Sequence, residues 1–279
     1  MKLYSIQTGY FKLDGGSMFG VVPKSIWNKI HPADENNLCR WAMRCLLIED
    51  NNRLILIDTG IGNKQDTKFF SHYHLHGDES LDRSLRKVGF HRDDITDIFL
   101  THLHFDHCGG VLEWDSARNG FLPAFKQAKV WSNPMHWQAA MYPNPREKAS
   151  FLKENFEPIE SQGQLHMIHE QGEWLPGWHN MFANGHTDAM MLPRIRYKDT
   201  EVWYMADLMA SQHHIKIPYV MGFDIRPLDV MKEKQQVLNY AAKNQTILFF
   251  EHDPDCECAL VTESEKGIVI SEKFRLDEY

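Results

Sequence analysis

Alternation of apolar and polar positions predicts β-strands at the start of the chain. Residues 2–13 have this pattern, and residues 41–57 hold two apolar runs, 41–48 and 53–57, joined at residues 49–52 (EDNN). Four polar residues of this kind favour a hairpin turn. We therefore expect a strand followed by a β-hairpin.

A helical period follows the hairpin. Leu81, Leu85 and Val88 repeat at helical spacing, Asp78 can cap the start and Gly89 can end the helix. The pattern predicts a short amphipathic helix over 78–88.

The rest of the chain alternates short strands with fewer helices. Strands are predicted at 96–101, 164–169, 190–197, 202–205 and 246–250, a helix at about 227–242, and a hairpin at 259–270. Residues 113–160 have broken periodicity and several prolines, which indicates an insertion of short helices and loops. With no internal repeat or linker, we predict one domain over 1–279 with an αββα sandwich of α+β class, two mixed sheets flanked by helices.

Charge and composition exclude several functions. The chain has 38 acidic and 30 basic residues, a net charge of −8, and no basic stripe that could neutralise a phosphate backbone. No apolar run approaches the ~20 residues needed to cross a bilayer, and no signal-peptide pattern is visible. Five scattered cysteines favour a reducing compartment. We expect a cytoplasmic protein that binds neither nucleic acid nor membrane.

The chain also has 16 histidines, and imidazole is a common metal ligand. Residues 101–110 (THLHFDHCGG) place His102, His104, Asp106 and His107 on the loop directly after a predicted strand. On such a loop the first two imidazoles can serve one position, and the following carboxylate and imidazole a second position. The segment therefore predicts two metal ions side by side, and a merely polar surface loop is the alternative.

The H-x-H-x-D-H pattern, preceded by an apolar strand and followed by glycine, resembles the signature of the metallo-β-lactamase superfamily. The resemblance implies that fold and three further ligands, each beyond a later strand. By resemblance, His102, His104 and His186 hold one metal, Asp106, His107 and His252 hold the other, and Asp207 bridges the two. Asp58, in Asp58-Thr59-Gly60, matches an aspartate that supports the ligand loop.

Other polar groups are weaker candidates. His72, His74 and His76 alternate like ligands but lack a following Asp-His pair, so a surface loop is favoured. Cys256 and Cys258 have no partner pair for a zinc motif.

The expected chemistry is hydrolysis of an ester-like bond. Water shared by two divalent cations loses its proton near neutral pH, and the resulting metal-bound hydroxide attacks the substrate. The cations also polarise the substrate carbonyl, while Asp106 orients the nucleophile or carries a proton to the leaving oxygen. Zinc is the default expectation, and iron, cobalt and manganese suit the same ligands.

Within the superfamily, the chain resembles the N-acyl-homoserine lactonases, which quench quorum sensing. Chain length and the segments 16–24 and 204–227 carry this likeness. Such lactonases often have a tyrosine three residues after the bridging aspartate, where this chain has Ala210, so we expect His214 or Tyr219 to serve instead. A small lactone or ester is the expected substrate, and a homodimer is left open because related lactonases often dimerise.

Several alternatives stay open. An organophosphate triesterase or arylesterase would use the same metals, and a non-catalytic metal-binding protein would keep the ligands without turnover. A β-lactamase is disfavoured because it usually has cysteine where Asp207 stands. A diiron reductase is disfavoured because it would have glutamate at His104.

Overall fold

The computed structural model describes residues 1–279, with the following bounds of helices and strands. The elements are β1 (Lys2–Asp14), α1 (Gly15–Phe19), α2 (Lys24–Trp27), β2 (Leu38–Asp50), β3 (Arg53–Ile57), α3 (Thr67–Ser71), α4 (Leu81–Lys87), β4 (Asp97–Phe99), α5 (Phe105–Cys108), β5 (Leu112–Trp114), β6 (Phe121–Pro123), β7 (Lys129–Ser132), α6 (Pro134–Met141), α7 (Glu157–Ser161), β8 (Leu165–Met167), β9 (Gly172–Leu175), β10 (Trp178–Ala183), β11 (Met190–Tyr197), β12 (Thr200–Tyr204), α8 (Pro227–Asn244), β13 (Ile247–Phe249), β14 (Cys258–Ser264) and β15 (Gly267–Phe274).

The chain divides into two compact units. The first comprises residues 1–9, 43–71 and 76–171. Its six-stranded sheet has the order β1-β2-β3-β4-β7-β8. Strands β2 and β3 form the predicted hairpin, with Asp50 opposite Arg53, and β3, β4, β7 and β8 run parallel. The carboxyl ends of these parallel strands therefore lie at one edge of the sheet, where ligand-binding loops usually lie.

The second unit comprises residues 10–42, 72–75 and 172–279. Its seven-stranded sheet has the order β15-β14-β13-β12-β11-β10-β9, in which only β12 and β13 pair in parallel. Helix α8 buries one face of apolar residues, Val230, Val237, Leu238 and Ala241, as its 3.6-residue period predicted.

Several sequence predictions are confirmed. Strand β11 covers the predicted residues 190–197, the hairpin near the end is β14 and β15, and α8 begins at Pro227. None of the helices is both long enough and apolar enough to cross a bilayer.

The predicted cap of α4 was wrong. The helix begins at Leu81, and the Ser80 hydroxyl accepts a hydrogen bond from the backbone N–H of Arg83 at 3.3 Å. Asp78 lies two residues too early, because a cap must reach the second or third N–H of its helix.

The stretch 113–160 is more than short helices and loops. It contains β7, which pairs in parallel with β4 on one side and β8 on the other, so it supplies an inner strand of the first sheet. Strand β7 has only four residues, which are too few to show the alternation of apolar and polar positions that predicts a strand. The prolines in the surrounding sequence favoured loops instead. The sequence analysis also missed strands β9 and β10, which lie outside this stretch.

Candidate metal centre

The ligand segment begins at the carboxyl end of β4. His102 lies in the connection after this strand, whereas Asp106 and His107 lie on α5, a single helical turn. The sequence predicted a loop throughout, and the helical turn is a correction. Four residues are too few to give a helical period, but the turn carries Asp106 and His107 onto adjacent positions of one helix.

Asp58 supports this segment, as the resemblance implied. It is fully buried at the end of β3, and its carboxylate accepts hydrogen bonds from Thr101 N–H at 2.8 Å and Thr101 Oγ1 at 2.7 Å. The same carboxylate lies 3.1 Å from His107 Nδ1. One side chain thus fixes the start of the ligand segment and the orientation of His107.

Gly109 and Gly110 allow the backbone at the end of α5 to lie close to the backbone of the loop after β3. A Cβ on Gly109 would lie 2.0 Å from the Ile61 carbonyl oxygen, and one on Gly110 would lie 2.4 Å from the Thr59 carbonyl oxygen. Only glycine lets the end of α5 pack against the loop after β3. The backbone at Gly109 and Gly110 therefore packs directly against residues 59–62.

The first two imidazoles of the motif have different surroundings. His102 Nδ1 lies 3.0 Å from Thr101 Oγ1, and His104 Nε2 lies 3.7 Å from Glu147 Oε1. Glu147 is buried, with 3% of its surface exposed, and the sequence analysis missed it. A histidine ligand commonly places its outer ring nitrogen against a carboxylate or carbonyl, so these partners leave the opposite nitrogen of each ring for a metal.

Three candidate ligands meet in the second unit. Asp207 lies between two imidazoles: its Oδ2 is 3.1 Å from His186 Nε2, and its Oδ1 is 3.0 Å from His252 Nε2. His252 Nδ1 lies 2.8 Å from the Ala42 carbonyl oxygen. A carboxylate that turns one oxygen to each of two imidazoles has the geometry expected of a bridging ligand.

Asp224 completes the surroundings of His186. Its Oδ1 lies 2.8 Å from His186 Nδ1. Burial lowers the pKa of His186, but the charges of Asp207 and Asp224 outweigh it and raise this pKa to about 10. Two carboxylates that stabilise positive charge on a buried imidazole also favour a cation beside it. The sequence missed Asp224 because its 38-residue separation from His186 gives no local signal.

The candidate ligands form one buried group in each unit. His102, His104, Asp106 and His107 lie in the first unit, and His186, Asp207 and His252 lie in the second. These buried nitrogen and oxygen donors suit divalent first-row metals. The groups fit a dinuclear divalent metal site. His72, His74 and His76 join neither group, as expected of a surface loop.

His214 is buried, and both of its ring nitrogens have partners in the protein. The ring is 1% exposed, its Nδ1 lies 2.8 Å from Ser211 Oγ, and its Nε2 lies 2.9 Å from the Met18 carbonyl oxygen. Burial lowers its pKa to about 3, so the ring is neutral. Both nitrogens are thus engaged by the protein, and substrate contact stays a prediction.

Tyr219 is more accessible than His214. It is half-buried, and its ring meets Phe19 edge-on with centroids 6.3 Å apart. Its carbonyl oxygen accepts a hydrogen bond at 2.9 Å from Lys234 Nζ, a buried ammonium group on α8. This contact fixes the backbone from which the phenol projects.

Cys256 and Cys258 are buried, and neither belongs to a group of candidate ligands. The Cys256 thiol donates to the Cys258 carbonyl oxygen at 3.5 Å. This contact favours a structural role for the pair.

The chain is similar to known proteins in both sequence and structure. The profile of the metallo-beta-lactamase superfamily matches residues 44–252. An N-acyl homoserine lactonase of Bacillus thuringiensis is 24% identical over 270 residues, covering 92% of this chain and 94% of that protein.

Two solved structures show the same fold. A probable metal-dependent hydrolase from Staphylococcus aureus superposes with a TM-score of 0.87 at 26% identity, covering 98% of this chain and 96% of that one. AidC, a dizinc quorum-quenching lactonase in complex with a product, N-hexanoyl-L-homoserine, superposes with a TM-score of 0.74 at 22% identity, covering 98% and 94%. The chain therefore belongs to the metallo-beta-lactamase superfamily of hydrolases and has its fold.

Proposed function

We propose that the chain is a lactonase, a metal-dependent hydrolase that opens ester rings, with an N-acyl-homoserine lactone as substrate. The proposed ligands are His102, His104, Asp106, His107, His186, Asp207 and His252. The observation that carries the proposal is the pair of buried ligand groups. The curated lactonase relative, which is similar along nearly its whole length, supports the substrate class.

The donor set determines what the ions would do. Two divalent cations, which we propose to be zinc, would lower the pKa of a water molecule and polarise a carbonyl oxygen. Asp207 would keep both ions close, because its two carboxylate oxygens already face different imidazoles. Asp58 and Asp224 would hold His107 and His186 with Nε2 directed at the ions.

Asp106 is the proposed acid–base group. Its carboxylate Oδ2 lies 3.9 Å from His107 Nε2, on the first turn of α5, and 8% of the residue is exposed. A carboxylate in this position can orient a water molecule and pass its proton to the leaving oxygen.

The position of Ala210 leaves substrate orientation to another group. Ala210 is fully buried and has no hydroxyl. We propose that Tyr219 or His214 replaces the tyrosine found in related lactonases. The variants Tyr219→Phe and His214→Ala test this: lower turnover at unchanged metal content supports the role, and unchanged kinetics removes the residue from the site.

A substrate panel tests the reaction class. The zinc-loaded protein is assayed with an N-acyl-homoserine lactone and with a dialkyl aryl phosphotriester, and Asp207→Asn serves as the inactive control. The expected result is a higher kcat/KM for the lactone. A phosphotriester preference would support the alternative, because the same ions activate water for a neutral phosphoryl centre and Ala210 lacks the lactonase hydroxyl. Metal binding without hydrolysis of either compound would overturn the enzyme assignment.

We also propose a cytoplasmic location. All five cysteines are free and buried, with no disulfide between them, which is the usual state in a reducing compartment.

A further inference from the structure

A buried histidine outside the proposed ligand set contacts the ligand segment itself. His136 Nε2 accepts a hydrogen bond from the backbone N–H of Leu103 at 2.8 Å, and the residue is 1% exposed. Leu103 separates His102 from His104 in the sequence. The bond therefore fixes the residue that determines how far apart these two imidazoles lie.

The fold brings His136 to this position through the pairing of β4 and β7. These strands are parallel neighbours in the first sheet, so the segments that follow them leave the same edge. After β7, the Asn133 side chain accepts a hydrogen bond from the His136 N–H at 2.9 Å and starts α6. The first turn of α6 thus lies beside the segment that follows β4.

The Leu103 bond is one of three at alternate residues. Thr101 N–H donates to Asp58 at 2.8 Å, Leu103 N–H donates to His136, and Phe105 N–H donates to the Ser150 carbonyl oxygen at 3.0 Å. These three bonds hold the backbone on both sides of His102 and of His104, the two candidate ligands that lie between the bonded residues.

We propose that His136 is a positioning residue of the metal centre, which sets the spacing of His102 and His104 by accepting the Leu103 N–H. This inference rests on the proposed ligand set. The accepting nitrogen must carry a lone pair, so the ring is neutral with its proton on Nδ1. Loss of such an outer contact typically weakens metal binding about 10–100-fold.

Two polar variants separate the hydrogen bond from the bulk of the ring. In His136→Gln the amide oxygen can reach nearly as far as Nε2 and accept the same N–H. In His136→Asn the side chain is one carbon shorter, and the acceptor falls short. Gln138→Asn shortens an exposed side chain on the same helix by the same amount and is the matched control.

The experiment measures metal binding directly. Each metal-free variant is titrated with Zn²⁺ against a chromophoric chelator, and the Co²⁺-loaded form is examined by its visible absorption spectrum. We expect about 10–100-fold weaker binding and a changed Co²⁺ spectrum for His136→Asn. We expect near wild-type behaviour for His136→Gln and Gln138→Asn. Circular dichroism and urea unfolding of the metal-free proteins check that each variant is folded.

The outcomes separate this inference from the function it rests on. Wild-type protein that binds no pair of divalent ions overturns the proposed function. Wild-type protein that binds two ions, together with unchanged affinity and spectrum in His136→Asn, overturns the role of His136 alone. If His136→Asn does not fold, His136→Gln decides: affinity close to wild type supports the role, and a loss of about tenfold or more contradicts it.

Discussion

At the scale of single residues, the site depends on what lies behind each imidazole. The ring nitrogens turned away from the proposed ions contact protein oxygens: His107 Nδ1 faces Asp58, His186 Nδ1 faces Asp224, and His252 Nδ1 faces the Ala42 carbonyl. Each oxygen favours a proton on the Nδ1 that faces it, which leaves Nε2 able to bind a metal. Metal affinity is therefore determined partly by residues that are not ligands.

Asp58→Asn tests this dependence. The amide oxygen can still accept the Thr101 N–H, but the amide nitrogen cannot accept a proton from His107 Nδ1. We expect metal affinity to fall about 10–100-fold, measured by competition with a chelator. Asp78→Asn, at an exposed carboxylate, is the control. Equal affinities of the two variants would contradict the role of Asp58.

His214 gives a pH-dependent contribution to stability. Burial lowers its pKa to about 3, below the ordinary value of 6.5. Between these values the unfolded chain binds a proton that the folded chain does not, so stability is fully present above pH 6.5 and declines as the pH falls toward 3.

The comparison of wild type with His214→Gln isolates this contribution. Between pH 7 and pH 5 the metal-free wild type should lose on the order of 2 kcal/mol more of its unfolding free energy than the variant. Urea denaturation at each pH measures the difference. Parallel pH profiles would contradict a pKa of His214 that is lower in the folded chain than in the unfolded chain.

At the scale of elements, the ligand segment is held by the meeting of α5 with the loop after β3. A methyl group on Gly109 would lie 2.0 Å from the Ile61 carbonyl oxygen and 2.5 Å from that of Phe105. Backbone atoms cannot yield as a flexible side chain can, so α5 would have to shift. Since α5 carries Asp106 and His107, this shift would reach the metal centre.

Gly109→Ala is therefore expected to lower both stability and metal affinity. Overpacking of this kind costs about 1–3 kcal/mol, which thermal unfolding can measure. Gly163→Ala is the comparison, since a Cβ there meets nothing within 4 Å and only its φ of +73° opposes the change. We expect Gly163→Ala to leave metal affinity unchanged. Equal metal affinity in the two variants would show that α5 tolerates the methyl group.

At the scale of the whole molecule, four separate stretches of the chain supply the proposed ligands, at 102–107, 186, 207 and 252. In the unfolded chain these stretches are not held close together, so the ligand groups do not form. Metal ions that bind only the folded chain therefore add their binding free energy to its stability.

Removal of the metals should lower the melting temperature. At free metal 100 times the dissociation constant, one ion contributes about 2.7 kcal/mol to the unfolding free energy. Calorimetry of the loaded protein and of the protein treated with chelator measures the difference, and added Zn²⁺ should restore the higher value. A melting temperature that does not change on treatment with chelator would contradict a metal centre formed by these residues.

The sequence determined the local features by itself. Hairpins such as β2–β3 and amphipathic helices such as α8 depend on turn residues and on a 3.6-residue period, both of which are read over a few neighbouring positions. The cluster at 102–107 was visible because its chemistry is concentrated in six residues. The superfamily resemblance then pointed to His186, Asp207 and His252, which no local pattern distinguishes from ordinary polar residues.

Only the tertiary structure decided which distant groups surround these residues. Asp224, Glu147 and His136 lie far along the chain from the imidazoles or the backbone N–H that they contact, so neither spacing nor period reveals them. The buried Lys234 is similar, since its ammonium group donates to three carbonyl oxygens, those of Lys216, Ile217 and Tyr219. A buried polar group requires partners, and folding alone determines which partners it meets.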